Sequence, residues 1–440
     1  MRVIFFSLSV MRLRYLKVVL AALACCAALG AQEYSFTFEE CLEYAFGNSY
    51  ERQMMLLDEE TQREALRGAK AQRAPEVSAS VGEGLTHTGM NDGVDMSGSA
   101  SLNASIVLYG GGETANTIRQ QKHALEQTEA SNEQYDMNLT VQILEQFLTI
   151  LGNEELLKYQ EQLIKTSEEQ LAQGKEKYAV GAILESDYLL LEAQYASDKT
   201  NALDTRIARD NNLLALKSLL SMPPEANLTI VYPDTAAMEG MRLLPTQAEA
   251  IEKAIATLPD LKLTQKSIDI AKSDLKIARA GYIPTISASA SVGTSHLNYD
   301  GFGGQLRDNF NQQAGISISI PIYDRSQTSM RVRQSKIKIE QAELEHKQTE
   351  LELRQTVAQE YQDVVAAISK YDATDVKSEA YRKTFEAYSV QFRLGAITAV
   401  DLLQQQNNYI SALNDYIQAK YGFLMKRKIL DVYMGEKVEF

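Results

Sequence analysis

Residues 177–195 read KYAVGAILESDYLLLEAQY, and residues 391–409 read QFRLGAITAVDLLQQQNNY. Gly181 stands against Gly395, Asp187 against Asp401 and Tyr195 against Tyr409, each pair at an offset of 214 (395−181). Tyr109 and Tyr323 keep the same offset. A proline-led serine run also recurs, Pro75-Glu-Val-Ser-Ala-Ser against Pro284-Thr-Ile-Ser-Ala-Ser. Two copies, each roughly half of the chain, exclude a short-period solenoid and predict a pseudo-symmetric molecule.

Outward from these glycines the pattern is helical. Residues 113–173 contain no proline and carry Leu125, Leu139, Ile143, Leu144, Phe147 and Leu151 at three-to-four spacing. A helix of about sixty residues spans about 90 Å, which suits a long coiled coil better than a compact globule. After a break at 174–181, residues 184–220 form the return helix, with Leu184, Tyr188, Leu191, Tyr195 and Leu203 along one stripe. Pro223-Pro224 stops it, because proline lacks the amide donor and clashes with the preceding turn. The expected organisation is a first repeat over 32–222 with a helix at 38–73, a strand hairpin at about 75–109 and a helical hairpin at 113–220. A proline-containing connector follows at 223–245. The second repeat, 246–435, has a helix at 246–280, a strand hairpin at about 284–323 and a helical hairpin at 325–434. Residues 436–440 form a tail.

The strand segments alternate with period two. Ile316, Ile318, Ile320 and Ile322 point one way, Ser317 and Ser319 the other. Ile286, Ala288, Ala290 and Val292 alternate with Ser287, Ser289 and Ser291, and Leu102, Ala104, Ile106 and Leu108 with Ser101, Asn103 and Ser105. A soluble sandwich gives the same period, but its solvent face usually carries Lys, Glu and Thr. Serine and glycine opposite aliphatics fit a wall with lipid outside and a watery lumen inside. Ile316, Ile318, Ile320, Ile286, Leu102 and Ile106 are thereby the expected lipid-facing residues. Tyr109, Tyr282 and Tyr323 stand at the strand ends, where aromatic girdles sit. Pro321 predicts a bulge or an early exit from the fourth strand. Four strands cannot close a membrane barrel, and lipid offers no partner for an open edge, so the chain must oligomerise. Two copies supply eight strands and a filled interior, three supply twelve and room for a channel.

Residues 1–31 read as a signal peptide. Arg2, Arg12, Arg14 and Lys17 are the only charges before Glu33, and Val18–Leu29 is small and apolar. Translation from Met11 gives a tidier signal. Cys25 and Cys26 fall inside this segment, and Ala22, three places before Cys25, stands where a lipidation site is expected to have a large apolar residue. Cys41 alone remains, too few for a disulfide or a multi-thiol metal site. The net charge of −14 becomes −18 (−14−4) without the four basic residues, which disfavours nucleic acid as a partner. His87, His123, His296 and His346 lack metal-ligand spacing. Gly110-Gly-Gly-Glu lacks the Lys-Ser/Thr ending of a phosphate loop. Nothing in the sequence points to an enzyme, a metal or a cofactor.

Taken in order, these signals resemble the TolC-like outer-membrane efflux proteins, from about Phe38 to Gly435. The carriers are the two G-x5-D turns, the downstream Tyr195 and Tyr409, and the corners Leu108-Tyr109-Gly110-Gly111 and Ile322-Tyr323-Asp324. The resemblance implies a mainly α fold with a small β part. Three chains share a twelve-stranded transmembrane barrel, and their long helical hairpins form a periplasmic tunnel. It implies a passive exit duct in the outer membrane, partnered by a periplasmic adaptor and an inner-membrane pump of the resistance-nodulation-division or ABC class. By position, Asp401 matches the aperture acid, with Gln404 where a second acid often stands and Asp187 in the first copy. Val180-Gly181-Ala182 and Leu394-Gly395-Ala396 match the tips that meet the adaptor. The arginine and aromatic hydroxyl that tie the closed tips are Ile397 and Phe392 here, leaving Arg393 as a substitute. Asp187 and Asp401 also fit first-turn helix acids, and the glycines also fit plain helix turns. Two other readings stand beside efflux of small molecules: a duct for type I protein secretion, and a periplasmic coiled-coil structural or adaptor protein.

Overall fold

The computed structural model describes residues 33–87, 94–232, 241–298, 302–438 and 440. The signal segment, with Cys25 and Met11, lies outside the described residues, as do the centres of two strand loops and part of the connector.

In chain order the elements are β1 (Glu33–Phe36), α1 (Phe38–Asn48), α2 (Tyr50–Ala71), β2 (Glu76–His87), β3 (Val94–Gly110), α3 (Glu113–Ala179), α4 (Glu185–Leu219) and β4 (Asn227–Ile230). Then come α5 (Gln247–Thr257), α6 (Pro259–Ala280), β5 (Thr285–Leu297), α7 (Phe302–Asp308), β6 (Asn311–Ser319), α8 (Gln327–Arg393) and α9 (Ala399–Tyr433). The repeat is geometric as well as textual. α1 and α5 have 11 residues each and α2 and α6 have 22, at an offset of 209 (247−38). α3 and α8 have 67 residues each and α4 and α9 have 35, at an offset of 214 (327−113). The second copy therefore gains five residues (214−209) in its strand hairpin, where α7 lies. A 67-residue helix is about 100 Å long.

The stretch expected as one helix over 38–73 is two. Ser49 leaves the helical region at ψ 120°, and its hydroxyl accepts from the Arg52 amide at 3.3 Å, so it ends α1 and caps α2. The stretch 246–280 breaks at Leu258, which is held extended by Pro259 after it. Proline at the first helical position costs no hydrogen bond, so α6 starts there.

Left-handed backbone recurs at matched positions. Gly111 and Gly112 have φ 63° and 84°, and Arg325 and Ser326, 214 residues on, have 56° and 64°. Ser221, φ 54°, likewise stands where the second copy has Gly435, φ 74°. The fold imposes the conformation whether or not glycine is present. Each non-glycine residue held there costs about 1–2 kcal/mol, partly offset by glycine's own entropy. Replacing Arg325 and Ser326 together by glycine is expected to stabilise the protein by about 1 kcal/mol. Denaturant unfolding of the purified protein measures the gain.

By internal contacts the described residues form two compact units. One comprises the residues up to Arg52, Asp136–Ala254 and Thr356–Phe440. Its core is built by Phe38, Cys41 and Ala45 of α1, Ile143, Leu144, Phe147, Leu148 and Leu151 of α3, and Phe423, Leu424 and Leu430 of α9, all buried. Phe38 meets Phe147 edge-on at 5.6 Å. Burial pushes the Cys41 thiol up to about 12, which keeps it protonated and inert. β1 and β4 pair in parallel in this unit, from Glu33 against Asn227 to Phe36 against Ile230, a sheet that the sequence pattern did not reveal.

The other unit comprises Gln53–Tyr135 and Ile255–Gln355. Its four-stranded sheet has the order β2-β3-β5-β6, antiparallel throughout. Val107 and Tyr109 flank a bulge at the corner of β3. β6 ends at Ser319, so Pro321 takes the early exit, and Ile320 and Ile322 lie beyond the strand. β6 pairs with β5 only as far as Gly293. Beyond it, α7 covers the edge of β5. The Leu297 amide donates to Gln305 Oε1 at 2.7 Å, and Gln305 Nε2 donates to the Leu297 carbonyl at 2.9 Å. The extra residues of the second copy thus satisfy backbone that would otherwise stay unpaired. Polar contacts help to join the helices of this unit, among them Lys266–Glu126 at 2.6 Å and Gln134–Asp260 at 2.6 Å.

Candidate functional site: paired helix turns and an open sheet

Each long helix ends in the same turn. The Ala182 amide donates to the Lys177 carbonyl at 2.8 Å and the Gly181 amide to the Tyr178 carbonyl at 2.9 Å. The Ala396 amide donates to the Gln391 carbonyl at 2.9 Å and the Gly395 amide to the Phe392 carbonyl at 3.0 Å. Gly181 and Gly395 sit at φ 73° and 75°. This is the helix end that closes orphan carbonyls through a left-handed residue, and it needs glycine for its backbone rather than for space: nothing lies within 4 Å of a Cβ built at either position. Both turns present aliphatic side chains to solvent: Val180 is 80% exposed and Leu394 79%.

The turns differ in what starts the next helix. Thr398 caps α9: its hydroxyl accepts from the Asp401 amide at 3.3 Å and donates to Asp401 Oδ2 at 2.7 Å, and its own amide donates to the same oxygen at 3.2 Å. The Thr398 side-chain and backbone donors hold the Asp401 carboxyl below its usual value. In the first copy Leu184 occupies the capping position and makes no side-chain bond, so Asp187 heads α4 outside any capping box. Gln404 lies one turn after Asp401 and donates to Asn408 Oδ1 at 3.3 Å. The structure places Asp401 and Asp187 at equivalent third positions of their helices, only one of them in a box.

The sign of the pH effect at Asp401 follows from the lowered value. The capping contribution is present above the unfolded carboxyl's value and is lost as pH falls through the folded one. After correction for intrinsic exchange, which itself slows in acid, protection at residues 399–402 should fall on acidification. Hydrogen exchange followed by mass spectrometry across pH checks this.

A contact that sequence reasoning missed joins the two turns. Lys177 Nζ donates to the Phe392 carbonyl at 2.6 Å and to the Arg393 carbonyl at 3.4 Å, and it lies 4.5 Å from the centre of the Phe392 ring. The ammonium caps the C-terminal end of α8, where carbonyl dipoles favour a cation. Phe392 and Arg393 were singled out in the sequence, but as side chains. The tie runs to their backbone, which no residue pattern reveals.

On the sheet, the alternation reads across all four strands. Val77, Ala79, Leu102, Ala104, Ile106, Ile286, Ala288, Ala290, Ile316 and Ile318 share one face. Ser78, Ser80, Ser101, Asn103, Ser105, Ser287, Ser289, Ser291 and Ser317 share the other. Ile286 pairs with Ile318 and Ser287 with Ser317, so the register keeps like with like. Ile316 is 71% exposed and Ile318 62%, and β2 and β6 are exposed along their whole length. Both outer strands leave an edge without a partner in the sheet. No cluster of His, Cys, Asp or Glu able to hold a metal is present among the described residues, and no described helix is long and apolar enough to cross a membrane.

The family model of the outer membrane efflux protein matches the chain twice, at residues 45–221 and 250–436, once in each repeat. The outer membrane protein TolC of Escherichia coli is 23% identical over 299 residues, which are 66% of this chain and 59% of that protein. The alkaline protease secretion protein AprF of Pseudomonas aeruginosa is 21% identical over 57% of this chain and 51% of its own length. The chain thus spans between half and three-fifths of these relatives. A crystal structure of CusC, described with its folding and transmembrane channel formation, superposes with a TM-score of 0.79 at 14% identity, over 91% of this chain and 92% of that one. With both repeats matched and the fold shared, the chain belongs to the outer membrane efflux protein family and is an outer-membrane protein.

Proposed function

We propose that three copies of the chain close one twelve-stranded barrel and form a passive exit duct for small molecules. The observation that carries this is the sheet: a continuous apolar face, a serine-rich face and two unpaired edges. Lipid cannot satisfy an open edge, and four strands cannot close, so β2 of one copy pairs with β6 of the next. The helical hairpins extend the duct into the periplasm. The exposed turns at Val180-Gly181-Ala182 and Leu394-Gly395-Ala396 are the docking points for a periplasmic adaptor, which connects the duct to an inner-membrane pump of the resistance-nodulation-division or ABC class. Asp401, with Gln404 one turn on and Asp187 at the matching position of the other turn, sets the charge at the entrance, and carboxylates gathered there favour cations. The duct does no chemistry and needs no cofactor.

Protein secretion is the second reading, favoured by the similarity to AprF, whose name states such a role. The test is expression in an outer-membrane duct-deficient strain. Restored resistance to small toxic compounds supports efflux. Restored export of a protein substrate without resistance supports secretion. Neither result, with the protein correctly inserted, contradicts the duct.

Lys177 bears on the resting state. Its ammonium is the tie between the two turns, so Lys177→Met should loosen them. In planar bilayers the variant is expected to conduct severalfold more than the wild type. Unchanged conductance removes the tie from the gate.

A further inference from the structure

Away from the turns, α3, α4 and α9 meet at a buried carboxylate. Asp198 of α4 is 4% exposed, Ser167 of α3 2% and Gln406 of α9 fully buried. Gln406 Nε2 donates to Asp198 Oδ2 at 2.9 Å and to Ser167 Oγ at 3.1 Å. Gln194 Nε2 donates to Asp198 Oδ1 at 2.8 Å, and the Ser167 hydroxyl bonds Asp198 Oδ2. All the partners are neutral. Asp198 receives Ser167 from α3, Gln406 from α9 and Gln194 from its own helix, and no charged side chain from any element shifts its titration. Burial is the largest influence and pushes the carboxyl up, against the three hydrogen bonds.

The repeat sharpens the point. The position 214 residues after Asp198 is Ala412, also fully buried, and Gln406 and Ser167 answer to Glu192 and Tyr381 in the other copy. The matching position of the other copy is thus filled by alanine, without a carboxylate. The Gln406 carbonyl oxygen is buried without a donor. The Ser167 hydroxyl also reaches the Leu163 carbonyl at 3.0 Å, and its one hydrogen can serve only one of these two acceptors. A protonated Asp198 donates to Ser167 Oγ and leaves that hydrogen for Leu163, whereas an ionised one cannot.

We propose that Asp198, Ser167, Gln194 and Gln406 form a proton-operated latch that holds α9 against α3 and α4 when Asp198 is protonated and lets α9 part from them when it ionises. The sign follows from desolvation. A carboxyl that is harder to ionise in the closed packing stabilises that packing below its unfolded value, and the contribution is lost as pH rises through the folded value. Separation of α9 admits water to the carboxylate, so neutral pH favours the looser packing and acid the tighter one. If ionisation is about tenfold harder in the closed packing, the open fraction rises up to about tenfold from the acid to the neutral limit. The consequence for conduction rests on the duct reading, since α9 begins at the turn that carries Asp401. The latch itself does not.

Hydrogen–deuterium exchange on the purified full-length protein, without adaptor or pump, keeps the two apart. Segments 160–172, 190–202 and 404–416, the last clear of the Asp401 cap, are followed between about pH 4.5 and 8, after correction for intrinsic exchange. The latch predicts that the open fraction in these segments grows with pH. It predicts that Asp198→Asn, which keeps the shape and cannot ionise, stays at the protected limit throughout. Asp198→Ala copies Ala412 and should be equally flat. A wild type without the rise, or either variant retaining it, overturns the proposal.

Discussion

Arginine at position 318 prevents assembly in the membrane, while arginine at position 317 leaves it intact. That result is expected because adjacent strand residues face opposite ways and the register fixes which way each faces. Ile318 pairs with Ile286 on the apolar face and Ser317 with Ser287 on the polar one. A charge facing lipid near the midplane costs about 2–4 kcal/mol, falling towards the interfaces. Three copies in one barrel multiply that to about 6–12 kcal/mol, comparable with the whole stability of an ordinary domain. Ser317→Arg places its charge in the lumen and should change conductance instead. The measurement is the amount of heat-modifiable oligomer in outer-membrane fractions. Equal loss, or equal tolerance, contradicts the assignment of faces.

The second large effect is expected at the turns. Gly181→Val with Gly395→Val should abolish efflux in a duct-deficient strain while the oligomer still reaches the outer membrane. A β-branched residue at φ near 75° costs about 1–2 kcal/mol per site, and the turn relieves this by giving up the bonds to the Lys177 and Gln391 carbonyls. The damage stays local. There is open space around both positions, so nothing packed behind the turn is displaced. Barrel closure depends on a sheet belonging to the other compact unit. On the proposed docking of an adaptor at the turns, binding is lost because the adaptor reads the shape of a tight turn and its exposed Val180 and Leu394. Drug susceptibility read beside oligomer content separates the two effects. Normal efflux from the double variant takes the turns out of the mechanism.

Local features were legible in the sequence and long-range ones were not. The glycine turns, the 67-residue helices and the serine-isoleucine alternation are written in spacings of two to seven residues, and the internal repeat exposes them twice. Pro321 marked the end of β6 for the same reason. The break at Ser49 was legible in principle, since a serine three residues before Arg52 is a capping position, but the surrounding helical periodicity masked it. Lys177 and the Phe392 carbonyl are 215 residues apart, and Ser167 and Gln406 are 239 apart. Contacts of that range leave no periodic trace in either partner. The Asp401 box was signalled by Thr398 three residues earlier, and the absence of its counterpart by Leu184. Sequence weighed cap against aperture, and the structure shows the carboxylate engaged as a cap while it remains exposed to solvent.

Barrel closure by three chains is the claim on which the duct, the entrance ring and the docking surface all depend. The most direct test is the absolute mass of the detergent-extracted protein by light scattering, with bound detergent subtracted. A single species of three chains is expected, and a cysteine placed on the outer edge of β2 should cross-link to one on β6 between copies. A monodisperse monomer, or a dimer whose eight strands fill their own interior, contradicts it.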